Sequence, residues 1–408
     1  MMYSLKRLPV LTIAMVILFI CSNCTSEKAP KRNIWVGTWS TAPQLVEPQN
    51  NPPEPGLTGN TLRQIIRISI GGDTLRLHLS NAYSDRPLSI KKVTIAPSLN
   101  GSRIDTDALQ VLQFSGQPNV VMNPGENIVS DALAFFVRSR SDLAITIEYA
   151  EAPEYITGHP GSRTTSWLAR GEQSEVVEFE KPVTMDHWYT ISGISVRAKP
   201  AAGAVAILGN SITDGRGSGT NAQNRWPDRM SEALMKDDST SNIGVLNQGI
   251  GGNCVLRSCL GPSALSRYHR DVLEQPGVRW LILMEGINDI GQAEDARTAD
   301  EIAKSLIDAY EQIITTAHQR KIKVFGATLL PFKDSFYYTD FREAARQHVN
   351  TWIRESGVFD GIIDFDSVMQ DPNDPLRLLT EVHSGDWLHP NELGYKRMGE
   401  AVHPGLFK

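Results

Sequence analysis

The pattern of apolar residues changes at a short run of mostly small residues, Lys199–Gly203, and this change limits the fold more than any other feature of the sequence. After it, short apolar runs alternate with longer amphipathic segments. The apolar runs lie at 204–208, 242–246, 278–284, 322–330 and 361–365. The clearest amphipathic segment extends from about Ala299 to Arg320, where apolar residues recur at helical spacing. Alternation of strands and helices predicts a parallel sheet covered by helices, which is an α/β fold.

Residues 34–198 show a different pattern, in which apolar and polar side chains alternate along short runs. The runs lie at 61–70, 75–79, 143–149 and 189–196. This alternation is typical of half-buried strands, and Gly, Pro, Asn and Asp cluster between the runs. Several short strands with hardly any helical periodicity predict an antiparallel β-sandwich. The sequence therefore predicts two folded domains, residues 34–198 and residues 199–408.

Residues 1–24 have the pattern of an export signal, because two basic residues precede an apolar run, Leu8–Ile20, that is too short to span a bilayer comfortably. A cysteine directly after such a run is typical of a bacterial lipoprotein signal, with Cys24 the preferred lipidation site and Cys21 the alternative. A plain secretory signal or an uncleaved anchor is the other interpretation. Residues 25–33 would form a linker. We expect an exported protein, periplasmic or attached to the outer membrane or cell surface, held at the membrane only by a lipid anchor.

Charge and cysteine content narrow the classes of partner. The formal net charge is −6, and no stripe of Lys and Arg offsets it, which argues against a nucleic-acid partner. Only Cys254 and Cys259 lie in the predicted folded part. In an oxidising compartment their spacing favours a short disulfide over two free thiols. No second Cys/His pair lies nearby at ligand spacing, so we expect no metal site.

Ligands of parallel sheets bind beyond the carboxyl ends of the strands. Four polar segments are candidates for such positions: Gly209–Gly215, Asn247–Asn253, Gly286–Asp289 and Asp386–Asn391. Each segment taken alone has an ordinary interpretation as a turn or a helix cap. Together their residue types suit acyl transfer by a serine.

The chemistry assigns a different task to each segment. Ser211 follows the first strand of the second domain, where a sharp turn exposes the hydroxyl and frees backbone N–H groups to face an anion. The glycines of the second segment permit close backbone approach to a ligand. Asn288 can donate its side-chain amide to a developing oxyanion. Asp386 can accept a hydrogen bond from Nδ1 of His389, which fixes the tautomer whose Nε2 takes a proton from a serine.

In this order and spacing, the four segments resemble the sequence blocks of the SGNH/GDSL hydrolase family, from the Gly203 junction to the C-terminus. A β-domain that opens with a motif like Gly37-Thr38-Trp39, and the stretch 261–286, are similar to one bacterial branch of that family. The resemblance implies a flavodoxin-like α/β/α sandwich and no cofactor. It also implies a role for each site residue: Ser211 as nucleophile, His389 as general base, Asp386 as its orienting group, and an oxyanion hole made by the backbone N–H groups of Ser211 and Gly252 with the side chain of Asn288.

The sequence departs from the family pattern at Asn210, because the residue before the serine is usually aspartate. Two alternative interpretations, one of a second histidine and one of a glycine-rich stretch, have weaker support. His383 lies near His389, but no carboxylate precedes it at the same spacing. The glycine-rich stretch Gly215–Gly219 lacks the Lys-Ser/Thr pair of a nucleotide-binding loop.

We therefore expect a serine carboxylic-ester hydrolase that acts by a Ser-His-Asp mechanism and removes acetyl groups from a polysaccharide or glycan outside the cytosol. Trp226 and Trp387 are candidate sugar-stacking platforms, although each could instead belong to the core. One alternative is a lipase or lysophospholipase, which would need a long apolar groove. The other is a catalytically silent glycan-binding protein.

Overall fold

The computed structural model describes residues 1–2 and 33–408. The predictions for the export signal, for lipidation at Cys24 or Cys21 and for nearly all of the linker lie outside the described residues. Within the described part, none of the helices combines the length and the apolar character that crossing a membrane requires.

Strands dominate the first region of the fold. They are β1 Ile34–Ser40, β2 Gln44–Leu45, β3 Asn60–Arg67, β4 Gly72–Ser80, β5 Leu88–Asn100, β6 Arg103–Ile104, β7 Gln110–Val111, β8 Val120–Met122, β9 Asn127–Val129, β10 Leu133–Val137, β11 Asp142–Glu151, β12 Thr157–His159, β13 Ser166–Arg170, β14 Val183–Met185, β15 Trp188–Tyr189 and β16 Ile191–Ala198. A 3-10 turn lies at Pro48–Asn50.

These strands form two large antiparallel sheets and a small one. The first has the order β1-β16-β4-β10, with β9 beside β4. The second has the order β14-β13-β3-β11-β5-β6, with β7 and β8 also paired to β5, and the small sheet is β15-β12-β2. In β4, Leu75, Leu77 and Leu79 are fully buried, as their alternation predicts. A mostly antiparallel, strand-rich N-terminal region is therefore confirmed.

Strands and helices alternate in the second region. They are β17 Gly203–Gly209, α1 Ser211–Asp214, α2 Trp226–Leu234, β18 Ile243–Gly249, α3 Ala264–Tyr268, β19 Val278–Met284, α4 Ile287–Ile290, α5 Ala296–Gln319, β20 Lys323–Ala327, α6 Asp340–Glu355, β21 Gly361–Ile363, α7 Phe365–Met369, β22 Gln370–Asp371, β23 Asp374–Leu378 and α8 Glu392–Ala401. A π turn at His269–Leu273 and a 3-10 turn at Pro404–Phe407 complete the elements of this region.

Five of these strands form one parallel sheet in the order β18-β17-β19-β20-β21. Alternate residues of β17 face opposite layers. Ala204, Ala206 and Leu208 share a core with α5, whereas Val205 and Ile207 belong to a core that includes α2 and α8. Burial on both faces is what a parallel sheet requires, and the predicted α/β/α sandwich is confirmed.

The N-terminal region covers the edge of the parallel sheet at β18. Ser69 Oγ accepts a hydrogen bond from Val245 N at 2.9 Å, and Gln248 Nε2 donates to Ser40 Oγ at 2.8 Å. An uncovered edge strand would leave a row of backbone groups open to pairing with another chain. The N-terminal region therefore protects this edge as well as contributing to the core.

The predicted boundary between the domains, after residue 198, stays a prediction. β16 ends at Ala198 and β17 begins at Gly203. One hydrophobic core nevertheless contains residues of both regions, and residues 33–408 form one compact unit.

Candidate active site

Ser211 occupies the first position of α1, directly beyond the carboxyl end of β17. Asn210 caps this helix, because its Oδ1 accepts a hydrogen bond from Ile212 N at 3.1 Å. Gly209 makes the turn feasible, since a Cβ at this position would collide with the Thr213 side chain. The turn holds the Ser211 hydroxyl at the end of the sheet where ligands bind.

His389 and Asp386 reach Ser211 from the C-terminal end of the chain. Ser211 Oγ lies 2.8 Å from His389 Nε2, and His389 Nδ1 lies 2.6 Å from Asp386 Oδ2. The other carboxylate oxygen of Asp386 accepts the backbone N–H groups of Leu388 and His389 at 3.1 and 2.9 Å. These hydrogen bonds fix the short Asp386–His389 segment, so that one imidazole edge faces the carboxylate and the other faces the serine.

The charge state of Asp386 follows from competing effects on its pKa. Partial burial opposes ionisation, but the hydrogen bonds from the His389 ring and backbone outweigh burial, and the pKa of Asp386 lies well below its ordinary value. An ionised Asp386 accepts a proton-bearing Nδ1, which leaves Nε2 of a neutral His389 free to accept the Ser211 proton.

The three predicted oxyanion donors line one cavity with the Ser–His pair. Gly252 has a left-handed φ of +69°, which glycine adopts without strain. Among the hydrogen bonds within residues 33–408, the backbone N–H groups of Ser211 and Gly252 have no acceptor. Both are therefore free to donate to a ligand.

The Asn288 side chain is held from both ends. Its Nδ2 donates to Asn253 O at 2.7 Å, and its Oδ1 accepts from the Tyr337 hydroxyl at 3.1 Å. Burial raises the pKa of Tyr337, so its hydroxyl stays protonated as a donor. These contacts orient the amide and leave its second hydrogen available to a ligand.

The loop that carries Gly252 is fixed by a disulfide. Cys254 and Cys259 are bonded to each other. Asn253 Nδ2 donates to the carbonyls of Leu260 and Pro262 at 2.9 and 2.8 Å, which closes the loop further. The two cysteines thus restrain the backbone beside the predicted oxyanion donors.

The cavity has a volume of about 470 Å³ and both regions of the chain form its wall. Its lining residues from the N-terminal region are Gln44, Glu47, Gln49, Asn50, Pro160, Gly161, Arg163 and His187. The second region of the fold contributes Asp214, Arg216, Gly251, Leu260, Phe336, Tyr337 and Leu388 in addition to the residues already described. The sequence offered no signal for the N-terminal contribution, because these residues lie on separate loops with no spacing that relates them to Ser211.

A buried pair joins the two regions beneath the cavity. His159, on β12, lies 2.8 Å through its Nε2 from Asp214 Oδ1, and its Nδ1 lies 3.0 Å from Ala42 O. Asp214 belongs to the same segment as Ser211, but its partner lies far away in the sequence. No sequence pattern relates the two residues for that reason.

Other candidates from the sequence have structural roles. Trp226 is fully buried in the core and is not a sugar platform. Trp387 is half-buried, stacks on His383 at 3.9 Å between ring centroids, and does not line the cavity. A Cβ on Gly217 would meet the carbonyl of Pro390, so the Gly215–Gly219 loop packs closely against the C-terminal segment. Within the described part of the chain, no group of three or more His, Cys, Asp or Glu residues could hold a metal ion.

The sheet, the serine at its carboxyl end and the histidine–carboxylate pair beside it define a hydrolase. More narrowly, residues 207–397, the hydrolase region, match the family model described as the GDSL-like lipase/acylhydrolase family. The resemblance of the four sequence blocks is thereby confirmed. No curated protein matches the chain significantly.

Solved structures similar to the chain cover about half of it. A GDSL-like lipase from Bacteroides thetaiotaomicron is 19% identical, with a TM-score of 0.36, over 50% of this chain and 87% of its own. A catalytic mutant of an acetylxylan esterase from Geobacillus stearothermophilus is 19% identical, with a TM-score of 0.37, over 49% of this chain and 91% of its own. The assignment to the hydrolases rests on the family match and on the site.

Proposed function

We propose that the protein is a serine carboxylic-ester hydrolase in which Ser211, His389 and Asp386 act as nucleophile, general base and orienting group. One observation carries the proposal: Ser211 Oγ lies 2.8 Å from His389 Nε2, and His389 Nδ1 lies 2.6 Å from Asp386 Oδ2, at the wall of an open cavity. A nucleophile bonded to a base that is itself held by a carboxylate is the arrangement that activates a serine hydroxyl.

The first half-reaction forms an acyl-enzyme. His389 Nε2 takes the hydroxyl proton as Ser211 Oγ attacks the ester carbonyl carbon. The carbonyl oxygen becomes an oxyanion, which accepts hydrogen bonds from the backbone N–H groups of Ser211 and Gly252 and from Asn288 Nδ2. The tetrahedral intermediate then collapses, the bond to the alcohol oxygen breaks, and His389 gives its proton to the leaving alcohol.

The second half-reaction returns the free enzyme by the same route. Water enters the position of the alcohol and His389 removes its proton. The resulting attack on the acyl carbon passes through a second oxyanion, and the bond to Ser211 Oγ breaks as the serine regains its proton. The ionised Asp386 stabilises the imidazolium during both steps.

We propose a carbohydrate acetyl ester as the substrate. The cavity wall carries many hydrogen-bonding side chains, among them Gln44, Gln49, Asn50 and His187. Such groups suit the hydroxyls of a sugar alcohol better than a hydrocarbon chain. Gly251 and Gly252 line the cavity, and the side chain of Leu260 packs against Gly252.

A lipase-type acylhydrolase is the second candidate. Leu260 and Phe336 line the cavity, and their side chains are about 50% and 70% exposed. An exposed apolar rim beside an active site is the feature that a longer acyl chain would contact. The length of the preferred acyl chain separates the two candidates.

We further propose that the protein acts outside the cytosol as a lipoprotein anchored through Cys24, with Cys21 as the alternative. The disulfide between Cys254 and Cys259 supports this location, because disulfides persist in oxidising compartments.

Hydrolysis of a short and a long p-nitrophenyl ester, acetate and decanoate, tests the mechanism and the acyl preference. The Ser211→Ala variant should lose at least about 1,000-fold in kcat, because the nucleophile is absent. The acetate should be cleaved faster than the decanoate. A faster decanoate reaction would favour the lipase candidate. Activity of Ser211→Ala equal to that of the wild type would refute the assignment of Ser211 as the nucleophile. No cleavage of either ester by the wild type would favour a catalytically silent glycan-binding protein.

A further inference from the structure

Two arginines from different regions of the chain line the active-site cavity. Arg163 lies between β12 and β13 in the N-terminal region, and Arg216 follows α1 only five residues after Ser211. Arg163 has a left-handed φ of +49°, and its carbonyl accepts from Asn221 N at 2.9 Å, which anchors its backbone to the hydrolase region. Its position beside the nucleophile is therefore set by both regions.

Neither guanidinium has an acidic partner within residues 33–408. The Arg163 Nε is buried and donates to no protein atom of this part. A buried cationic N–H group without an acceptor is unfavourable, so such groups are normally paired. Arg225, close by, is the contrast, because it donates to Asp214 O at 3.0 Å and to Gln223 Oε1 at 3.0 Å. Arg163 is thus left unsatisfied at the place where a substrate binds.

The carboxylates of the cavity do not satisfy Arg163. Both oxygens of Glu47 accept side-chain amides, from Gln44 at 3.0 Å and from Asn50 at 2.9 Å. Asp386 is bonded to His389. Asp214 is bonded through Oδ1 to a histidine, and its other oxygen is buried against Gly161. Within residues 33–408 none of these three carboxylates forms an ion pair with Arg163 or Arg216, and Asp214 and Asp386 pair with His159 and His389 instead.

The uncharged polar groups of the wall suit hydroxyls. His187 Nδ1 lies 2.8 Å from Pro160 O, so the ring donates there and presents Nε2 as an acceptor in its neutral form. Gln49 is exposed and free to turn towards a ligand. The cavity therefore combines unpaired positive charge with groups that recognise a polyhydroxylated molecule.

We propose that Arg163, assisted by Arg216, binds a carboxylate on the alcohol part of the ester, so that the preferred substrate is an O-acetylated acidic sugar such as a uronic acid residue. This inference rests on the proposed esterase function and narrows its substrate class. Arginine binds a carboxylate through two parallel N–H donors, which fixes the sugar as well as attracting it. The N-terminal region thereby becomes part of the specificity site.

A matched pair of substrates tests the preference. An acetylated methyl glucuronoside and the corresponding acetylated methyl glucoside differ only in the carboxylate. The wild type should favour the acidic ester in kcat/KM by about 10- to 100-fold, the range expected of hydrogen bonds to a charged group. Arg163→Gln should bring this ratio close to one, mainly through KM, and Arg216→Gln should lower it less. Added salt should reduce the wild-type ratio.

The control is Arg170→Gln, in the same region on β13, where the arginine is exposed and does not line the cavity. This variant should keep the wild-type ratio. The two rates are measured on one preparation, so any inactive fraction cancels from their ratio. A wild-type ratio near one would overturn the proposal, and so would a ratio that Arg163→Gln leaves unchanged.

Two further measurements distinguish failure of the substrate preference from failure of the proposed esterase activity. Binding of unacetylated methyl glucuronoside and methyl glucoside to Ser211→Ala, followed by calorimetry, measures the same preference without catalysis. Tighter binding of the acidic sugar supports the inference even if no ester is turned over, and equal binding overturns it. Faster hydrolysis of lysophosphatidylglycerol than of either sugar ester would also overturn it, because the arginines would then serve a phosphate.

Discussion

Glu285 lies at the end of the strand beside the serine turn, and it explains the departure at Asn210. Asn210 Nδ2 donates to Glu285 Oε2 at 2.8 Å, while its Oδ1 caps the helix that begins with Ser211. An aspartate at this position would present a second carboxyl oxygen to Glu285 in place of a donor. Asparagine therefore supports both the buried glutamate and the orientation of Ser211.

Burial raises the pKa of Glu285 to about 8. The opposing effect of Arg267 is smaller, because its nearest nitrogen is 3.9 Å from Glu285 Oε1, too far for a hydrogen bond. The folded protein thus holds a proton on this carboxyl at a pH where the unfolded chain releases it. The stabilisation is complete below the unfolded pKa of 4.5 and is lost as the pH rises towards about 8.

We expect the free energy of unfolding of the wild type to fall, relative to that of Glu285→Gln, between about pH 5 and pH 8. The slope of the difference should be at most on the order of 1.4 kcal/mol per pH unit, which corresponds to one proton. Urea unfolding at pH 5, 6.5 and 8 measures it. Glu355→Gln, an exposed site, is the control and should run parallel to the wild type. Parallel profiles for Glu285→Gln would show that Glu285 is ionised in the folded protein.

Single residues were predictable where chemistry lies in a short stretch of sequence. Asp386 and His389 are three residues apart, and Ser211 lies inside a recognisable turn. The local sequence pattern was therefore enough to identify all three as candidate site residues. Arg163 and His159 had no such pattern, because the fold alone brings them to the site. Their roles depend on tertiary contacts that one sequence does not display.

At the scale of elements, strong periodicity gave accurate boundaries. The helix predicted at about 299–320 is α5, Ala296–Gln319, and the strand predicted at 278–284 is β19, Val278–Met284. An amphipathic pattern sustained over several turns is enough to locate a long helix, and a continuous apolar run locates a buried strand. Errors of a few residues at the ends reflect capping, which the pattern does not encode.

The run predicted as a strand at 322–330 was too long, because β20 ends at Ala327. Leu329 beyond it is apolar and buried, but side chains satisfy its backbone: Asn350 Oδ1 accepts its N–H at 2.7 Å, and Arg346 donates to its carbonyl at 2.8 Å. An apolar run therefore does not distinguish a strand from a buried loop whose polar groups find side-chain partners.

The loop that links β18 to α3 gives a prediction at this scale. Its disulfide closes only a short ring, so its contribution to global stability through chain entropy should be small. Its local effect should be larger, because the preceding residues supply Gly252 N and the Asn253 carbonyl that holds Asn288. We expect the Cys254→Ser, Cys259→Ser double variant to lose about 10-fold or more in kcat on p-nitrophenyl acetate, since small displacements of catalytic groups slow reactions strongly.

Reduction of the wild type by dithiothreitol provides the matched comparison. The reduced wild type should lose activity to the level of the double variant, and the double variant should not respond to dithiothreitol. An unchanged kcat in both would mean that hydrogen bonds alone hold the oxyanion loop.

At the scale of the whole molecule, the N-terminal region is joined to the hydrolase region at three levels. It shares a hydrophobic core with one face of the parallel sheet, it covers the edge at β18, and it forms part of the cavity wall. Sequence patterns predicted both architectures, but they carried no information about the contacts between the two regions. Packing between distant segments depends on shape and on buried polar pairs, which periodicity does not reveal.

We expect residues 33–408 to unfold in one cooperative transition, because separating the regions would expose the shared core. Calorimetry should give equal calorimetric and van't Hoff enthalpies.

His159→Asn removes the ring that bonds Asp214, and leaving that buried carboxylate without its partner should destabilise the chain by about 1–3 kcal/mol. The single transition should therefore move about 1–4 °C lower without splitting. His318→Asn, at an exposed ring, is the control and should move it less. Two transitions, of which His159→Asn shifts only one, would mean that the regions unfold independently and that their contact serves the active site alone.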